Sequence, residues 1–449
     1  VVRGTTGDLV RVAKPLNTAA VEASLQRLLQ KGITNVAVVL KHSYTFHRHE
    51  EQIEEIAKRM GFKHIAISSK VMPTVRLVPR GLTTCTDAYL TPVSRRYLEG
   101  FFAGFAGLDP AKVLFMQSDG GLTSAENFSG HKAILSGPAG GVVGYAQTSG
   151  GRQAAIGFDM GGTSTDVSRY DGEYDLVFET TTAGVTVLCP QLDINTVAAG
   201  GGSRLFFQDG LFRVGPESAG AHPGPVCYKK GGHLAVTDAN VVLGRVVPEY
   251  FPAIFGPNED EPLDLAATRE AFTKLTAEVN AGSNENKSVE EVALGFLRIA
   301  NEAMCRPIRN LTTMKGHSAA AHMLACFGGA GPQHCCAIAK ALGIRRVLVT
   351  RFSGVLSAYG LSLADVVDER QEATTSRCDD EAFPGLLAKL RALEESAVAS
   401  LAGQGFPPEQ VSCARYLNLR YQGTDTAMMV AVDDDGEGGG GGGPAAAAA

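Results

Sequence analysis

Residues 157–167 hold the side chains best suited to chemistry, because two carboxylates, a glycine pair and three hydroxyls lie between apolar runs. Glycine lacks a Cβ, so a glycine turn can adopt positive φ and bring its N–H groups close to anionic oxygens. Hydroxyls add donors, and paired carboxylates can hold a hydrated Mg²⁺ against phosphates. We predict a nucleotide phosphate site with Asp159 and Asp166 as metal-binding and catalytic residues. Its cofactor-binding residues are Gly161, Gly162, Thr163, Ser164 and Thr165.

A bare Asp-x-Gly-Gly string is also typical of a tight β-hairpin with solvated polar residues. The full string and its strand-like flanks favour the phosphate site. Three other glycine-centred turns, at Ser118–Leu122, Ser136–Gly141 and Gly328–Gly331, lie at the ends of predicted elements. Several such turns after buried strands indicate a crevice at the carboxyl ends of the strands. Within the last turn, Gly328, Gly329 and Gly331 are predicted to bind the cofactor.

The chain has no Gly-x-x-x-x-Gly-Lys-[Ser/Thr] P-loop. Phosphate binding would therefore follow the actin-like manner, in which hairpin amides, hydroxyls and carboxylate-held Mg²⁺ replace a Walker lysine. No Gly-x-Ser-x-Gly elbow is present either, so a serine nucleophile has no support.

A second dense segment runs from Ala198 to Pro225. Gly201 and Gly202 are further cofactor-binding candidates, and His222 is a catalytic candidate held in place by the proline that follows it. His222 also fits a hydrogen-bonded loop histidine. Arg204 could bind a carboxylate or form a surface ion pair. Asp193, Asp238 and Asn240 are polar residues in apolar surroundings that are also typical of turn caps.

The composition is that of a globular protein, with 449 residues, 44% hydrophobic and 20% charged. The net charge of −6 offers no basic footprint for nucleic acid, and no apolar run reaches the length of a membrane span. A cytosolic location is the default expectation. The nine cysteines form no Cys-x-x-Cys pair, and we expect the adjacent Cys335 and Cys336 to be buried structural thiols.

The pattern of apolar residues predicts alternating helices and strands. A helix up to Gly32, a strand at Val36–Leu40, a helix ending at Gly61 and a strand at Ile65–Ile67 form a predicted βαβ unit. Later elements are predicted as a helix at 288–309, a strand at 322–327, a helix to Leu342, a strand at 347–349, a helix at 385–401 and a β-like stretch at 414–432. Residues 433–449 form a glycine- and alanine-rich tail that we expect to be disordered.

Taken together, these strings resemble the hydantoinase A/oxoprolinase family, in particular its eukaryotic type. The resemblance extends over most of residues 1–370. It is carried by Asp87–Pro92, Gln117–Leu122, Leu135–Gly144, Gly157–Tyr170, Gln191–Phe206, Val214–Cys227, Thr237–Arg245, Asn301–Arg306 and Cys326–Gly331.

The resemblance implies an α/β fold like that of actin, sugar kinases and heat-shock chaperones, with mixed sheets and flanking helices. Asp159–Asp166 would then be a phosphate-binding hairpin and Gly328–Gly331 a nucleotide-side turn. Members of this family couple ATP hydrolysis, with Mg²⁺, to opening of the 5-oxo-L-proline lactam, which gives L-glutamate in glutathione turnover. The implied domains are residues 1–80 (end of the family's N-terminal domain), 81–370 (hydantoinase A-like ATPase domain), 371–432 (C-terminal α/β extension) and 433–449 (tail).

Two departures from the family pattern lead us to expect an incomplete chain. Full-length relatives begin with another Asp-x-Gly-Gly-Thr-type motif and continue into a hydantoinase B-like half, and neither is present here. The resemblance leaves a homodimer open. Three alternatives remain: an ATP-dependent hydantoinase or carboxylase component, an actin- or chaperone-like nucleotide switch, and a non-functional truncation product.

Overall fold

The computed structural model describes residues 1–105, 107–150, 153–182, 184–283, 286–424 and 427–432. The predicted disordered tail, 433–449, lies outside the described residues. The strands are β1 Val2–Arg3, β2 Leu9–Val10, β3 Asn35–Val38, β4 His64–Ile67, β5 Leu114–Met116, β6 Leu122–Ser124, β7 Ala155–Met160, β8 Thr165–Tyr170, β9 Leu176–Thr182, β10 Val185–Leu192, β11 Ile194–Val197, β12 Ser203–Gln208, β13 Leu211–Ser218, β14 Met323–Phe327, β15 Val347–Leu348, β16 Tyr416–Arg420 and β17 Ala427–Ala431.

The helices alternate with these strands through much of the chain. They are α1 Thr18–Gln30, α2 Arg48–Met60, α3 Ser68–Val71, α4 Leu77–Gly104, α5 Ser136–Thr148, α6 Val236–Val242, α7 Leu265–Ser283, α8 Val289–Leu311, α9 Cys335–Leu342, α10 Leu356–Leu361 and α11 Phe383–Gly403. None of the described helices is both long enough and apolar enough to cross a membrane.

The chain folds into two compact units. Unit 1 contains Val1–Ser136, Leu176–Gln191 and the described residues from Asp365 to Val432. In it β3 and β4 pair in parallel, and α2 connects them, which confirms the predicted βαβ wiring. Helix α2 has acidic residues in its first turn and ends at Gly61, whose φ of 92° is left-handed. Leu25, Val36, Ile56, Ala57 and Phe62 form the small core beneath this sheet.

Unit 2 contains Gly137–Asp175 and Leu192–Ala364. Its five-stranded sheet has the order β11-β8-β7-β14-β15. Strand β8 is antiparallel to both of its neighbours, β11 and β7, whereas β7, β14 and β15 are parallel to one another. Because β7 and β14 are parallel, they end at the same edge of the sheet, and Phe327 is in register with Asp159. This pairing brings the two predicted glycine turns together.

Helix α8 carries much of the core of unit 2. Ser288 caps its N-terminus in a capping box with Glu291. The helix was expected to end near Arg309 after Pro307, but it continues to Leu311. Proline removes one helical hydrogen bond. The burial of Ile308 and Leu311, which are 0% and 1% exposed, offsets that loss.

The two units divide the chain differently from the domains expected from sequence. The boundary near residue 136 and the return to unit 1 at 176–191 both fall inside the range 81–370. The domain scheme 1–80, 81–370 and 371–432 therefore stays a prediction about family organisation rather than a description of the compact units.

The cysteine prediction is right at one position and wrong at the next. Cys335 is buried, but Cys336 is exposed. Successive residues on an α-helix point about 100° apart, so one face of α9 can be buried only at the expense of the other. A run of apolar and thiol residues in the sequence does not show this difference.

Candidate functional site

The predicted phosphate stretch forms a hairpin at the edge of the unit 2 sheet. Strands β7 and β8 pair with Asp159 opposite Asp166 and Met160 opposite Thr165. The turn between them is closed by the Gly161 N–H, which donates to the Ser164 carbonyl at 3.1 Å. Gly162 and Thr163 are exposed, and their N–H groups donate to no other described residue. The turn therefore presents free backbone donors, as an anion site requires.

The two carboxylates of this hairpin lie side by side and are partly buried. Burial, and then the charge of Asp166, raise the pKa of Asp159 to about 6, although a hydrogen bond with Ser357 opposes the shift. Burial also raises the pKa of Asp166, against a hydrogen bond from the Thr196 hydroxyl at 2.5 Å. Within the described residues, no lysine or arginine forms an ion pair with either carboxylate. The pair therefore lacks a positive partner.

This donor set fits a hydrated Mg²⁺. No group of three or more His, Cys, Asp or Glu side chains in the described part of the chain is arranged to hold a metal. Mg²⁺, however, usually keeps several waters and binds through one or two carboxylates together with substrate phosphates. Asp159 and Asp166 would hold it here, because a dication offsets the cost of burying two carboxylates that have no positive partner.

A glycine loop supports the hairpin turn from behind. The Gly201 N–H donates to the Gly161 carbonyl at 3.0 Å, and the Gly202 N–H donates to the Gly162 carbonyl at 2.6 Å. A Cβ on Gly200 would lie 2.7 Å from the backbone of Gly162. The close approach of the two backbones explains why this loop consists of glycine.

Three predicted cofactor-binding residues thus have a structural task. The Gly201 and Gly202 N–H groups are used by the hairpin turn, and the buried Thr165 hydroxyl donates to the Ala199 carbonyl at 2.6 Å. Their direct contact with a nucleotide stays a prediction. In the structure, the Gly201 and Gly202 N–H groups hold Gly161 and Gly162 in place.

The second predicted turn packs against the same hairpin. Gly328 has a φ of 80°, and a Cβ there would lie 2.6 Å from the Met160 carbonyl oxygen. The Ala330 N–H donates to that same oxygen at 2.9 Å. Gly329 is exposed, whereas Gly331 is buried. The structure therefore brings Gly328, Gly329 and Asp159 to one edge of the sheet, as the spacing of glycine turns predicted.

A small cavity of about 100 Å³ opens between these elements. It is lined by Asp159, Phe327, Gly328 and residues 353–358. The Gly328 N–H donates to the Ser353 carbonyl at 2.9 Å. Ser353, Ser357 and Thr196 were missed by the sequence reasoning, because isolated serines and threonines carry no local signal of a site.

Helix α5 begins at Ser136, so the predicted Ser136–Gly141 turn is itself helical, and the helix packs closely on α10. A Cβ on Gly140 would lie 2.6 Å from the Ser357 carbonyl, and one on Gly144 would lie 2.7 Å from the Leu356 carbonyl. The helix itself is confirmed. Its glycines allow close packing against the segment that carries Ser357.

The remaining candidates lie in loops of unit 2. His222 is exposed and has no side-chain hydrogen bond to another described residue, so its catalytic role stays a prediction. Arg204 forms an ion pair with Glu217 at 3.4 Å and lies over the Phe206 ring. Asp238 accepts hydrogen bonds from the N–H groups of Val226, Cys227 and Ala235, which confirms the turn-capping alternative for this residue.

A buried polar network anchors the helix that follows the second glycine turn. His334, at the start of α9, is fully buried between Asn301, at 2.7 Å from its Nδ1, and Asn240, at 3.0 Å from its Nε2. Asn240 and Asn301 lie on α6 and α8. The network therefore ties three helices together behind the Gly328–Gly331 turn.

We expect this histidine to make the protein acid-labile. Burial, with a smaller contribution from Arg245, lowers the pKa of His334 to about 4. An unfolded histidine titrates near 6.5, so the unfolded state binds a proton first and stability is lost as the pH falls from about 6.5 to about 4. The loss should approach about 3 kcal/mol, measured by urea unfolding at several pH values. His334→Gln should be less stable at pH 7 but show a flatter slope in this window; an unchanged slope would contradict the assignment.

Family models identify the chain's relatives. Residues 80–370 match the hydantoinase/oxoprolinase family, and residues 2–61 match the hydantoinase/oxoprolinase N-terminal region. The chain belongs to the hydantoinase/oxoprolinase family. The predicted family membership is thereby confirmed.

Individual relatives include 5-oxoprolinases. The chain is 58% identical to 5-oxoprolinase 1 of Arabidopsis thaliana over 439 residues, covering 96% of this chain and 35% of that protein. It is 54% identical to the 5-oxoprolinase of Dictyostelium discoideum over 448 residues, covering 95% of this chain and 35% of that protein. The chain thus spans about a third of the length of these relatives.

Two solved structures share the fold. The ATP-dependent caprolactamase of Pseudomonas jessenii has a TM-score of 0.78 at 28% identity, covering 97% of this chain and 63% of that chain. A nucleotide-free acetone carboxylase has a TM-score of 0.72 at 24% identity, covering 94% of this chain and 61% of that chain. The predicted family α/β fold is confirmed by this agreement.

Proposed function

We propose that unit 2 binds MgATP at the β7–β8 hairpin and that the chain serves ATP-dependent hydrolysis of 5-oxo-L-proline to L-glutamate in the cytosol. The observation that carries the nucleotide site is the pairing of Asp159 and Asp166 beside the exposed turn amides of Gly162 and Thr163. These groups supply the two things that a triphosphate needs, namely a cation held by carboxylates and backbone donors for phosphate oxygens.

The chain's own residues would divide the work of binding. Gly162 and Thr163 would donate N–H groups to phosphate oxygens, and Asp159 and Asp166 would hold the metal, whose positive charge would offset the charge that develops in phosphoryl transfer. Gly201 and Gly202 keep the turn in its binding shape. Phosphorylation of the lactam oxygen would activate the ring carbon, because an unactivated lactam is a stabilised amide.

The choice of substrate is supported by the relatives. Those at 58% and 54% identity are named 5-oxoprolinases, and identity is spread over nearly the whole chain. The chain covers 35% of each, so the remaining parts, including the expected hydantoinase B-like half, are proposed partners in the complete enzyme. A second candidate, an enzyme for another cyclic amide, is favoured by the match to the ATP-dependent caprolactamase.

Nucleotide binding can be measured on the chain itself. We expect a fluorescent ATP analogue to bind with excess Mg²⁺ and to bind at least about tenfold more weakly with EDTA, because carboxylates without a metal repel phosphates. Titration followed by fluorescence anisotropy checks this. The control is Asp209→Asn, an exposed residue in the β12–β13 turn, which should bind like the unchanged chain. Equal affinity with and without Mg²⁺ would remove the metal from the proposal.

Turnover requires the context of a full-length relative. We suggest replacing the homologous part of the Arabidopsis 5-oxoprolinase 1 with this chain and measuring ADP and glutamate with 5-oxoproline as substrate. Hydrolysis of ATP with matching formation of glutamate supports the proposed reaction. If the chimera hydrolyses ATP on caprolactam or a hydantoin but not on 5-oxoproline, the second candidate is favoured.

A further inference from the structure

Unit 1 contains a buried polar cluster that the proposed nucleotide site does not use. At its centre is Asp87, which lies on α4 within one of the strings that carry the family resemblance. The His131 Nδ1 is 2.8 Å from Asp87 Oδ1, and the His64 Nε2 is 3.2 Å from Asp87 Oδ2. The Thr91 hydroxyl donates to Oδ1 at 2.7 Å. One carboxylate therefore orients two histidine rings.

These contacts determine which ring nitrogen of His131 carries the hydrogen. Burial opposes ionisation of Asp87, but the hydrogen bonds from His131 and His64 outweigh it and hold the pKa of Asp87 well below its usual range. An ionised carboxylate accepts hydrogen bonds and cannot donate them, so the His131 Nδ1 must carry the hydrogen. In the neutral ring, Nε2 then bears a free lone pair.

That lone pair has no partner in the structure. His131 is 5% exposed, and its Nε2 is buried without a hydrogen bond to any described residue. Buried polar atoms are nearly always paired with protein or water, so an orphaned acceptor needs a donor from outside the chain. By contrast, the His64 Nε2 is already used by Asp87. The Nε2 of His131 is therefore available to accept a proton, whereas the Nε2 of His64 is not.

A partly exposed ion pair lies at the residue that follows His131. The Lys132 Nζ is 3.3 Å from Glu369 Oε2, and these side chains are 23% and 25% exposed. Burial raises the pKa of Glu369; Lys132 opposes this shift, Asp119 adds to it and His131 opposes it to a smaller extent. The Ser118 N–H donates to the Lys132 carbonyl at 2.7 Å, so the Gln117–Leu122 string contacts the segment that carries His131.

We propose that His131 is the general acid–base residue of a cyclic-amide-opening site in unit 1 and that Asp87 is its positioning residue. The inference rests on the proposed function. As the oxygen of a water bonds to the ring carbon, Nε2 accepts one proton of that water. As the ring C–N bond breaks, the imidazolium returns the proton to the ring nitrogen, which leaves as an amine. This step consumes one water and leaves the opened chain as an acyl phosphate. A second water hydrolyses the acyl phosphate to the carboxylate and inorganic phosphate, and neither stage needs an oxidant or a reductant.

The structure favours His131 over His222 for this task. A histidine acts as a general base when a neighbouring group fixes both the orientation and the tautomer of its ring. Asp87 supplies both for His131, whereas the exposed His222 has no described side-chain partner that would orient it.

The diagnostic variant is His131→Asn, whose amide can take the place of Nδ1 beside Asp87 while Nε2 is removed. In the full-length chimera we expect glutamate formation to fall at least about a hundredfold. Binding of the fluorescent ATP analogue should stay within about twofold of the unchanged protein. The matched control is His42→Asn, the same chemical change at an exposed histidine of unit 1 that lies outside this cluster, and it should change turnover less than about twofold. Asp87→Asn should lower turnover like His131→Asn, because an amide can donate to Nδ1 and so move the ring hydrogen to Nε2.

A second measurement does not depend on turnover. In the chain labelled with ¹⁵N-histidine, the neutral His131 ring should be the tautomer with its hydrogen on Nδ1 and none on Nε2. A neutral ring with its hydrogen on Nε2 would overturn the proposal. Full glutamate formation by a folded His131→Asn chimera would also overturn it, because Nε2 would then be no more than a binding site for a structural water. If the chimera that carries the unsubstituted chain forms no glutamate, that result counts against the proposed function. The tautomer of the His131 ring would still test the role proposed for His131.

Discussion

Asp159→Asn should lower MgATP hydrolysis by the full-length chimera at least about a hundredfold, the scale of removing one preorganised electrostatic contact from a transition state. The neutral amide keeps the shape of the side chain but removes half of the charge that faces the metal. It also ends the repulsion with Asp166 that contributes to the raised pKa of Asp159. The variant should therefore fold normally and fail in catalysis. Steady-state ADP release at saturating ATP measures the loss.

The comparison that isolates charge at the hairpin is again Asp209→Asn. It makes the same chemical change on an exposed turn of the same unit and should leave turnover within about twofold. Asp166→Asn should resemble Asp159→Asn, because both carboxylates face the same space. Full activity in either hairpin variant would remove that carboxylate from the site.

Gly328→Ala is the second change for which we expect a large effect. A left-handed backbone costs a non-glycine residue about 1–2 kcal/mol, and overpacking costs about 1–3 kcal/mol more. Both apply here, because φ is 80° and the new Cβ would lie 2.6 Å from the Met160 carbonyl oxygen. We therefore expect a loss of about 2–5 kcal/mol in the free energy of unfolding. Displacement of the hairpin should also weaken ATP binding.

The neighbouring glycine is a matched control for this effect. A Cβ on Gly329 would meet no atom within 4 Å, and its φ is not in the left-handed region. Gly329→Ala should accordingly change the free energy of unfolding by less than about 0.5 kcal/mol. Urea unfolding of the two variants tests the difference, and equal stabilities would mean that the turn does not pack as described.

Much of the secondary structure was predictable because it depends on local patterns. The capping signal at Ser288, the glycine stop at Gly61 and the apolar spacing of α2 and α8 all act within a few residues. The end of α8 was less predictable. Its last turn depends on burial of Ile308 and Leu311 against other elements, which no local pattern encodes.

The polar clusters show the same division. Asp238 was recognisable as a turn cap, since its partners lie within twelve residues. The network of Asn240, Asn301 and His334 was not, because its partners are 94 and 33 residues apart along the chain. The contact between Asp87 and His131 likewise spans 44 residues. Hydrogen bonds between distant residues depend on how the elements pack.

By itself the sequence determined the chemistry of the β7–β8 hairpin, because the glycines, hydroxyls and carboxylates of residues 157–167 are contiguous and a strand–turn–strand brings them together without help. The tertiary structure alone decided which of these groups remain available. The loop at Gly200–Gly202 uses two turn carbonyls, and the Thr165 hydroxyl is used by Ala199, whereas the amides of Gly162 and Thr163 stay free. Composition specifies which donors and acceptors exist, but only packing decides which of them the protein itself satisfies.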